Sequence, residues 1–221
     1  MIRKILSYLI PIPIFKTKSY WSNSIEVTWA NGELVLDSEN TNYSYGSLQR
    51  ILRLGLKKIG FQQIRSMNKI LVLGVAGGSV IKTLTDEIHC KGRITGVEID
   101  PTIIKIANSY FKLDQISNLT ILIADAFEFV LQASEKYDLI ILDIFQDTKM
   151  PGFLFENFFT QKLCTLLQTN GFILFNTMVL NEKGNQRNKK YLEEFYQPNY
   201  KIKTIPRVEF HNELILIERI K

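Results

Sequence analysis

Two cysteines and two histidines are all that this 221-residue chain offers for disulfide, thiol or zinc chemistry. Cys90 and Cys164 make no disulfide framework and no metal-ligand cluster, so no metal site is expected. Cys164 lies in the apolar run LCTLL and reads as a core thiol. His89, near a helix end, and His211, near a turn, stand alone, with no catalytic partner in sequence reach. No apolar run is long enough to span a bilayer. The apolar start, MIRKILSYLIPIPIF, is broken by Pro11 and Pro13 and followed by Lys16 and Lys18, and it has no small-residue cleavage site. A docking helix followed by an extended proline segment is expected there, on a cytoplasmic protein. A strong excess of charge of one sign is lacking too. Against 22 acidic residues stand 27 basic ones, a net +5 that permits an anionic partner without demanding one. Neither a membrane nor a nucleic acid is the expected partner. Internal repeats and low-complexity segments are missing. With 46% hydrophobic and 22% charged residues, the chain has the composition of a folded α/β domain plus a small appendage.

Two nucleotide signatures are also missing: Gly-x-x-x-x-Gly-Lys-[Ser/Thr] and the dinucleotide spacing Gly-x-Gly-x-x-Gly. What is present is KILVLGVAGGSVIKTLTDEIHCKGRITGVEID, residues 69–100. Ile70 to Leu73 form a short apolar run, as in a strand buried on both faces. Gly74-Val75-Ala76-Gly77-Gly78 follows, where small residues let the backbone turn sharply and approach a ligand. Val80, Ile81, Leu84 and Ile88 recur at helical spacing, and a second apolar strand over residues 94–99 carries Glu98. Strand, glycine turn, helix, strand and acid make one nucleotide-binding βαβ unit. In it Glu98, 20 residues past Gly78, is placed to accept from ribose hydroxyls.

Elsewhere, residues 24–37 alternate apolar and polar around Asn31-Gly32, a strong hairpin signal. Leu48, Ile51, Leu52, Gly55 and Ile59 follow helical spacing, with Arg50, Arg53 and Lys57 on another, solvated face. Asp100-Pro101 opens a helix. Residues 119–124 form a third strand ending at Asp125, and residues 137–145 a fourth with Asp143 near its end. A helix is expected over 153–167, a fifth strand over 171–178 and a polar helix over 185–196. A closing antiparallel hairpin fits residues 201–208 and 213–220. Strands alternating with helices predict an α/β, doubly wound, mostly parallel Rossmann-like sheet. Residues 1–65 would be the helix, hairpin and helix appendage, and 66–221 the nucleoside-binding domain. In such a sheet ligands bind outside the strands' carboxyl ends. The glycine loop, Glu98, Asp125 and Asp143 all end there. Asp125 suits an adenine amino group, with the Ala126 N–H facing a ring nitrogen.

A glycine turn and acid without dinucleotide spacing resemble the S-adenosylmethionine (SAM) site of class I methyltransferases. Three segments sharpen the likeness: DAFEFV after the third strand, VEIDPTIIKIANSYF after the second and YDLIILDIFQDTKMPGFLFENFF around the fourth. With the hairpin and Tyr43-Ser44-Tyr45, they resemble the spermidine synthase family from Ser24 to Met178. The resemblance implies SAM or decarboxylated SAM as cofactor, held by Gly74, Val75, Gly77, Gly78, Glu98, Ile99, Asp125 and Ala126. It implies Asp143 as the catalytic group that helps deprotonate the attacking amine, and Tyr45 and Asp147 as substrate-binding residues. It also leaves a homodimer open.

The departures are specific. The synthases carry an acid within a Gly-Gly-Gly-Asp-Gly-Gly loop, where this chain has Gly77. Their Asp-Ser-Ser-Asp-Pro is here Asp143-Ile144-Phe145-Gln146-Asp147, and their Tyr-His-Glu is Tyr45-Gly46-Ser47. A dicationic diamine would lack carboxylate partners, and burying an unpaired ammonium is costly. The expectation is therefore a transferase with a nucleoside half-site, moving a methyl group to a small-molecule acceptor of unknown identity. Aminopropyl transfer to a diamine and a non-catalytic nucleoside-binding role are the alternatives. An NAD-dependent oxidoreductase is disfavoured by the loop spacing. The free N–H groups of the loop and following helix are expected to hold an anion, the SAM carboxylate.

Overall fold

The computed structural model describes residues 2–39, 42–146, 149–195 and 198–221. A one-and-a-half-turn helix, α1 (Ile2–Leu6), leads into the edge strand β1 (Ile12–Thr17). β1 pairs antiparallel with β2 (Ile25–Ala30), which pairs with β3 (Glu33–Asp37) and then β4 (Asn42–Ser44), in the order β1-β2-β3-β4. Pro13 is tolerated because β1 is an edge strand. Asn31 and Gly32 both have positive φ, 49° and 78°, as the tight hairpin requires. The docking helix expected at the start does not dock through its apolar side chains: Ile2, Ile5 and Leu6 are exposed. Five residues are too few to present a continuous apolar face. Attachment instead comes from Ser7, whose backbone carbonyl accepts from Asn31 N (3.0 Å) and whose Oγ accepts from Gly32 N (2.9 Å).

α2 (Gly46–Ile59) and α3 (Phe61–Arg65) connect the small sheet to β5 (Lys69–Leu73). The glycine loop leads into α4 (Ser79–Lys82), which widens into a π-helical turn over Thr83–Glu87. Thr83 Oγ1 donates to Ser79 O (3.0 Å) and Thr85 Oγ1 to Ile81 O (3.1 Å), back-bonds that bend helices. β6 (Arg93–Glu98), α5 (Pro101–Phe111), β7 (Leu119–Ile123), α6 (Ala126–Gln132) and β8 (Tyr137–Leu142) alternate, with β8 ending three residues before the expected 145. The single helix expected over 153–167 is divided. A 3-10 turn over Gly152–Phe155 and α7 (Asn157–Thr165) flank Glu156, whose backbone is extended. β9 (Leu167–Met178) begins four residues earlier than expected. α8 (Glu182–Glu193), capped by Asn181 accepting from Gly184 N (3.1 Å), precedes the hairpin β10 (Tyr200–Val208) and β11 (Asn212–Arg219).

The large sheet has the order β10-β11-β9-β8-β5-β6-β7. β5 to β9 run parallel, while β11 and β10 are antiparallel additions. This is the Rossmann-like α/β fold read from the sequence. Alternation along β5 shows why its apolar run is continuous. Ile70 and Val72 enter the core shared with α2 and α4, while Leu71 and Leu73 enter the core shared with α6 and α7. A third cluster joins the N-terminal sheet to α5 through Ile25, Val27, Leu36, Ile103 and Phe111. The basic face of α2 is partly neutralised at the surface. Arg50 Nε donates to Glu209 Oε1 (2.7 Å) and Arg53 Nε to Glu87 Oε1 (2.8 Å).

Candidate active site

Strand order reverses between β5 and β8: the chain steps outward through β6 and β7, then crosses back. At that switch point, outside the strands' carboxyl ends, lies a cavity of about 330 Å³. β6 and β7 wall one half with Glu98, Ile99, Asp100, Asp125 and Ala126. β8, β9 and β11 wall the other with Asp143, Asn176, Met178 and Asn212. Trp21, from the β1–β2 connection, and Tyr43 and Ser47 reach it from the N-terminal side.

Glu98 is the hub of the nucleoside half. Its Oε2 accepts from Val75 N (3.1 Å) and Ala76 N (3.0 Å), and its Oε1 accepts from Asp100 N (3.1 Å). Burial pushes its carboxyl upward, and the three backbone N–H groups oppose that. Asp100 caps α5 through Oδ1 to Thr102 N (2.8 Å), and its Oδ2 accepts from the Ser19 hydroxyl. Ser19 Oγ in turn accepts from Trp21 N and Ser22 N (both 3.1 Å), so one hydroxyl ties the Trp21 loop to the β6 end. Asp125 caps α6, its Oδ1 accepting from Phe127 N (2.7 Å) and Glu128 N (3.2 Å). Its Oδ2 has no partner among the described residues. Ala126 opens the helix, where an N–H has no intrahelical acceptor.

Several of the loop N–H groups expected to hold an anion are engaged within the protein. Val75 and Ala76 give their N–H groups to Glu98, Gly78 N donates to Val75 O (2.9 Å), and Ser79 N donates to Ser44 Oγ (3.1 Å). β4 thus seats directly on the loop. A Cβ on Gly77 would lie 2.8 Å from Ser44 Cβ, so this backbone leaves no room for a loop carboxylate. Gly78 has φ +81°, and Gly74 has φ +89° with the Asp143 carbonyl 2.1 Å from where its Cβ would be. Both positions therefore require glycine.

Asp143 directly follows β8 and is partly buried in the cavity wall. Burial, with the Glu98 charge across the cavity, raises its carboxyl to about 7, against the lowering effect of one hydrogen bond from Asn176 Nδ2 (2.8 Å). Asn176 Oδ1 accepts from Asn212 Nδ2 (2.9 Å). Four carboxylates and, among the described residues, no Lys, Arg or His line the cavity. That set suits a cation such as a sulfonium or an amine.

Of the site residues read from the sequence, Gly74, Glu98, Ile99, Asp125, Ala126 and Asp143 share this cavity wall. Val75 contributes its N–H to Glu98, while Gly77 and Gly78 face Ser44 and Leu113. Tyr45 packs away from the wall, stacked on Phe111 at 4.4 Å, and burial raises its hydroxyl further. Asp147 lies outside the described residues. Sequence reading missed Trp21, Tyr43, Ser47, Asn176 and Asn212. Asn176 had a signal: it is a polar residue in the otherwise apolar FILFN, at a strand's carboxyl end. Among the described residues no group of three or more His, Cys, Asp or Glu is arranged to hold a metal, and no helix is long and apolar enough to cross a membrane.

The family model for the spermine/spermidine synthase domain matches residues 54–214. A polyamine aminopropyltransferase of Vibrio vulnificus is 31% identical over 140 residues, 61% of this chain and 46% of that protein. The mouse eEF1A lysine and N-terminal methyltransferase is 30% identical over 119 residues, 48% of this chain and 17% of that protein. The chain thus spans less than half the length of either relative. A spermidine synthase solved with the transition-state analogue AdoDATO superposes with a TM-score of 0.68 at 16% identity, covering 94% of this chain and 72% of that one. Human methyltransferase-like protein 13, solved with SAH, gives 0.62 at 23% identity, covering 80% and 83%. At these identities the solved structures speak for the fold.

Proposed function

Since the chain belongs to the spermine/spermidine synthase domain family, we propose that it is a SAM-dependent transferase that moves a methyl group to a nucleophile on an acceptor of unidentified structure. The relatives are aminopropyltransferases and methyltransferases, and SAM or decarboxylated SAM is the cofactor that fits both. The donor set fits an adenosyl sulfonium. Asp125 Oδ2 and the Ala126 N–H suit the adenine edge, Glu98 suits the ribose hydroxyls, and the carboxylate-lined wall suits the positive sulfur. When bound, SAM supplies an electrophilic methyl carbon.

The observation that carries methyl over aminopropyl transfer is the acceptor half of the cavity. Among its described residues Asp143 is the sole carboxylate; its neighbours are Tyr43, Ser47, Gln146, Phe153, Met178 and Asn212. A diamine enters as a dication, and among the described residues its distal ammonium would find no carboxylate of its own. The blocked Gly77 position points the same way. Asp143 aligns the nucleophile through a hydrogen bond and, for an amine acceptor, takes the proton released as the new N–C bond forms. With its carboxyl raised to about 7, it suits proton exchange near neutral pH. Trp21 and Phe153 help exclude water.

Aminopropyl transfer is the second reading, favoured by the 31% identity to the Vibrio enzyme. The deciding assay supplies decarboxylated SAM and putrescine and, separately, SAM. Methyl transfer predicts SAM binding without spermidine formation. Efficient spermidine synthesis that collapses in Asp143→Asn would overturn it.

A further inference from the structure

Asn176 and Asn212 continue, as polar residues, two rows that are otherwise core. Leu174 on β9 and Leu214 and Leu216 on β11 pack with α2, and Asn176 and Asn212 lie two residues further along the same faces. The register pairs Asn176 with Leu214, which makes Asn176 and Asn212 diagonal neighbours. On the other side, Leu142 pairs with Phe175, which brings the next residues, Asp143 and Asn176, side by side. The result is a one-way chain: Asn212 Nδ2 to Asn176 Oδ1 (2.9 Å), then Asn176 Nδ2 to Asp143 Oδ1 (2.8 Å). Asn176 is fully buried, and its amide meets Asp143 on one side and Asn212 on the other.

We propose that Asn212 is a positioning residue: by donating to Asn176 Oδ1 it holds that amide with its N–H toward Asp143, so that Asp143 Oδ1 serves only as an acceptor and the exchangeable proton resides on Oδ2. Oδ2 has no partner among the described residues. The inference rests on Asp143 as the group that meets the nucleophile. A proton on Oδ1 would need the Asn176 and Asn212 amides to turn over together, because turning Asn176 alone would set two NH2 groups against each other with no acceptor between them. The distant end of the sheet, added after the nucleoside half of the fold, thereby selects which oxygen of Asp143 is reactive. The carboxylates that share the cavity with Asp143 are Glu98, Asp100 and Asp125. Glu98 is the one whose charge bears on it, and Glu213, beside Asn212, is engaged by Asn188 Nδ2 (3.1 Å).

The test needs no acceptor: carbon-13 NMR titration of the Asp143 carboxyl in the free protein, assigned by its loss in Asp143→Asn. Asn212→Ala removes the donor, and Asn212→Asp replaces it, at equal size, with a group that demands a donor from Asn176. The expected result is an upward shift of the midpoint by about half a pH unit in Asn212→Ala and about one unit or more in Asn212→Asp. Asn212→His, with a ring N–H, should restore part of the shift. A control variant of equal added charge, Asn188→Asp, should move the midpoint less than Asn212→Asp. An unchanged midpoint in folded Asn212→Ala, or equal shifts in the two charge variants, would overturn the proposal. Because no cofactor enters the titration, failure here leaves the transferase reading standing, and failure of SAM binding leaves this one.

Discussion

Glu98 Oε2 lies 3.0 Å from Ala76 N and 3.1 Å from Val75 N, so the acid expected to read the ribose also holds the glycine loop in shape. Three backbone N–H groups use three of the carboxylate's roughly four lone-pair sites, so Oε1 keeps one for a ligand hydroxyl while Oε2 braces the loop. Replacing Glu98 should therefore do two things. Glu98→Ala should weaken nucleoside binding by about 1.5–3 kcal/mol and lower unfolding stability as well, because buried N–H groups lose their acceptor. Glu98→Gln, which keeps one acceptor oxygen, should fall between. Calorimetry and urea denaturation on the same variants check this. Weakened binding at unchanged stability would mean that the loop does not depend on Glu98.

Gly77 tests the link between the two sheets. Gly77→Asp pushes a Cβ to 2.8 Å from Ser44 Cβ, so it should destabilise by about 1–3 kcal/mol, the range for overpacking, and loosen β4 from the loop. Ser44→Gly in the same chain should recover part of the loss. Unaltered stability together with new aminopropyl transfer would show that the loop accepts an acid after all.

Asp143 should make stability depend on pH in an unusual direction. Its carboxyl sits at about 7 in the folded chain, above the roughly 3.9 of an unfolded aspartate. Between those values the folded state keeps a proton that the unfolded state has lost. The contribution is thus complete below about pH 4 and disappears as pH rises through 7. Asp143→Asn, which cannot ionise, should be little changed at pH 4 and more stable than wild type at pH 8, by an amount on the order of 1–4 kcal/mol. Equal effects at both pH values in urea denaturation would contradict the burial of this charge.

The hydroxyl of Ser19 ties the Trp21 loop to Asp100. Ser19→Ala should free that loop and speed ligand release about fivefold, the effect of roughly 1 kcal/mol from one hydrogen bond. Stopped-flow tryptophan fluorescence in a Trp29→Phe background would follow it, and an unchanged off-rate would place Trp21 outside the closing of the site.

The parallel half of the fold was legible because its signals are local. Apolar strands, the glycine turn and strand-end acids fall within 32 residues for the first βαβ unit, and Asn31-Gly32 announced its hairpin. What stayed hidden depends on chain segments far apart in sequence. The seating of Ser44 on Ser79 bridges 35 residues, and it engages one of the N–H groups on which an anion site had been expected. The Asn212–Asn176 contact bridges 36, and only the register of β11 against β9 reveals it. The apolar start of the chain misled because hydrophobicity alone suggested a docked helix, whereas a five-residue helix leaves Ile2 and Ile5 exposed.

The central claim is an adenosyl-sulfonium site at the switch point between β5 and β8, and calorimetric titration tests it most directly. Wild-type protein should bind SAM or methylthioadenosine saturably, bind NAD much more weakly, and lose affinity for the adenosyl ligands in Glu98→Ala. No heat of binding with either adenosyl ligand at millimolar concentration, or NAD binding as tight as SAM, would contradict the account.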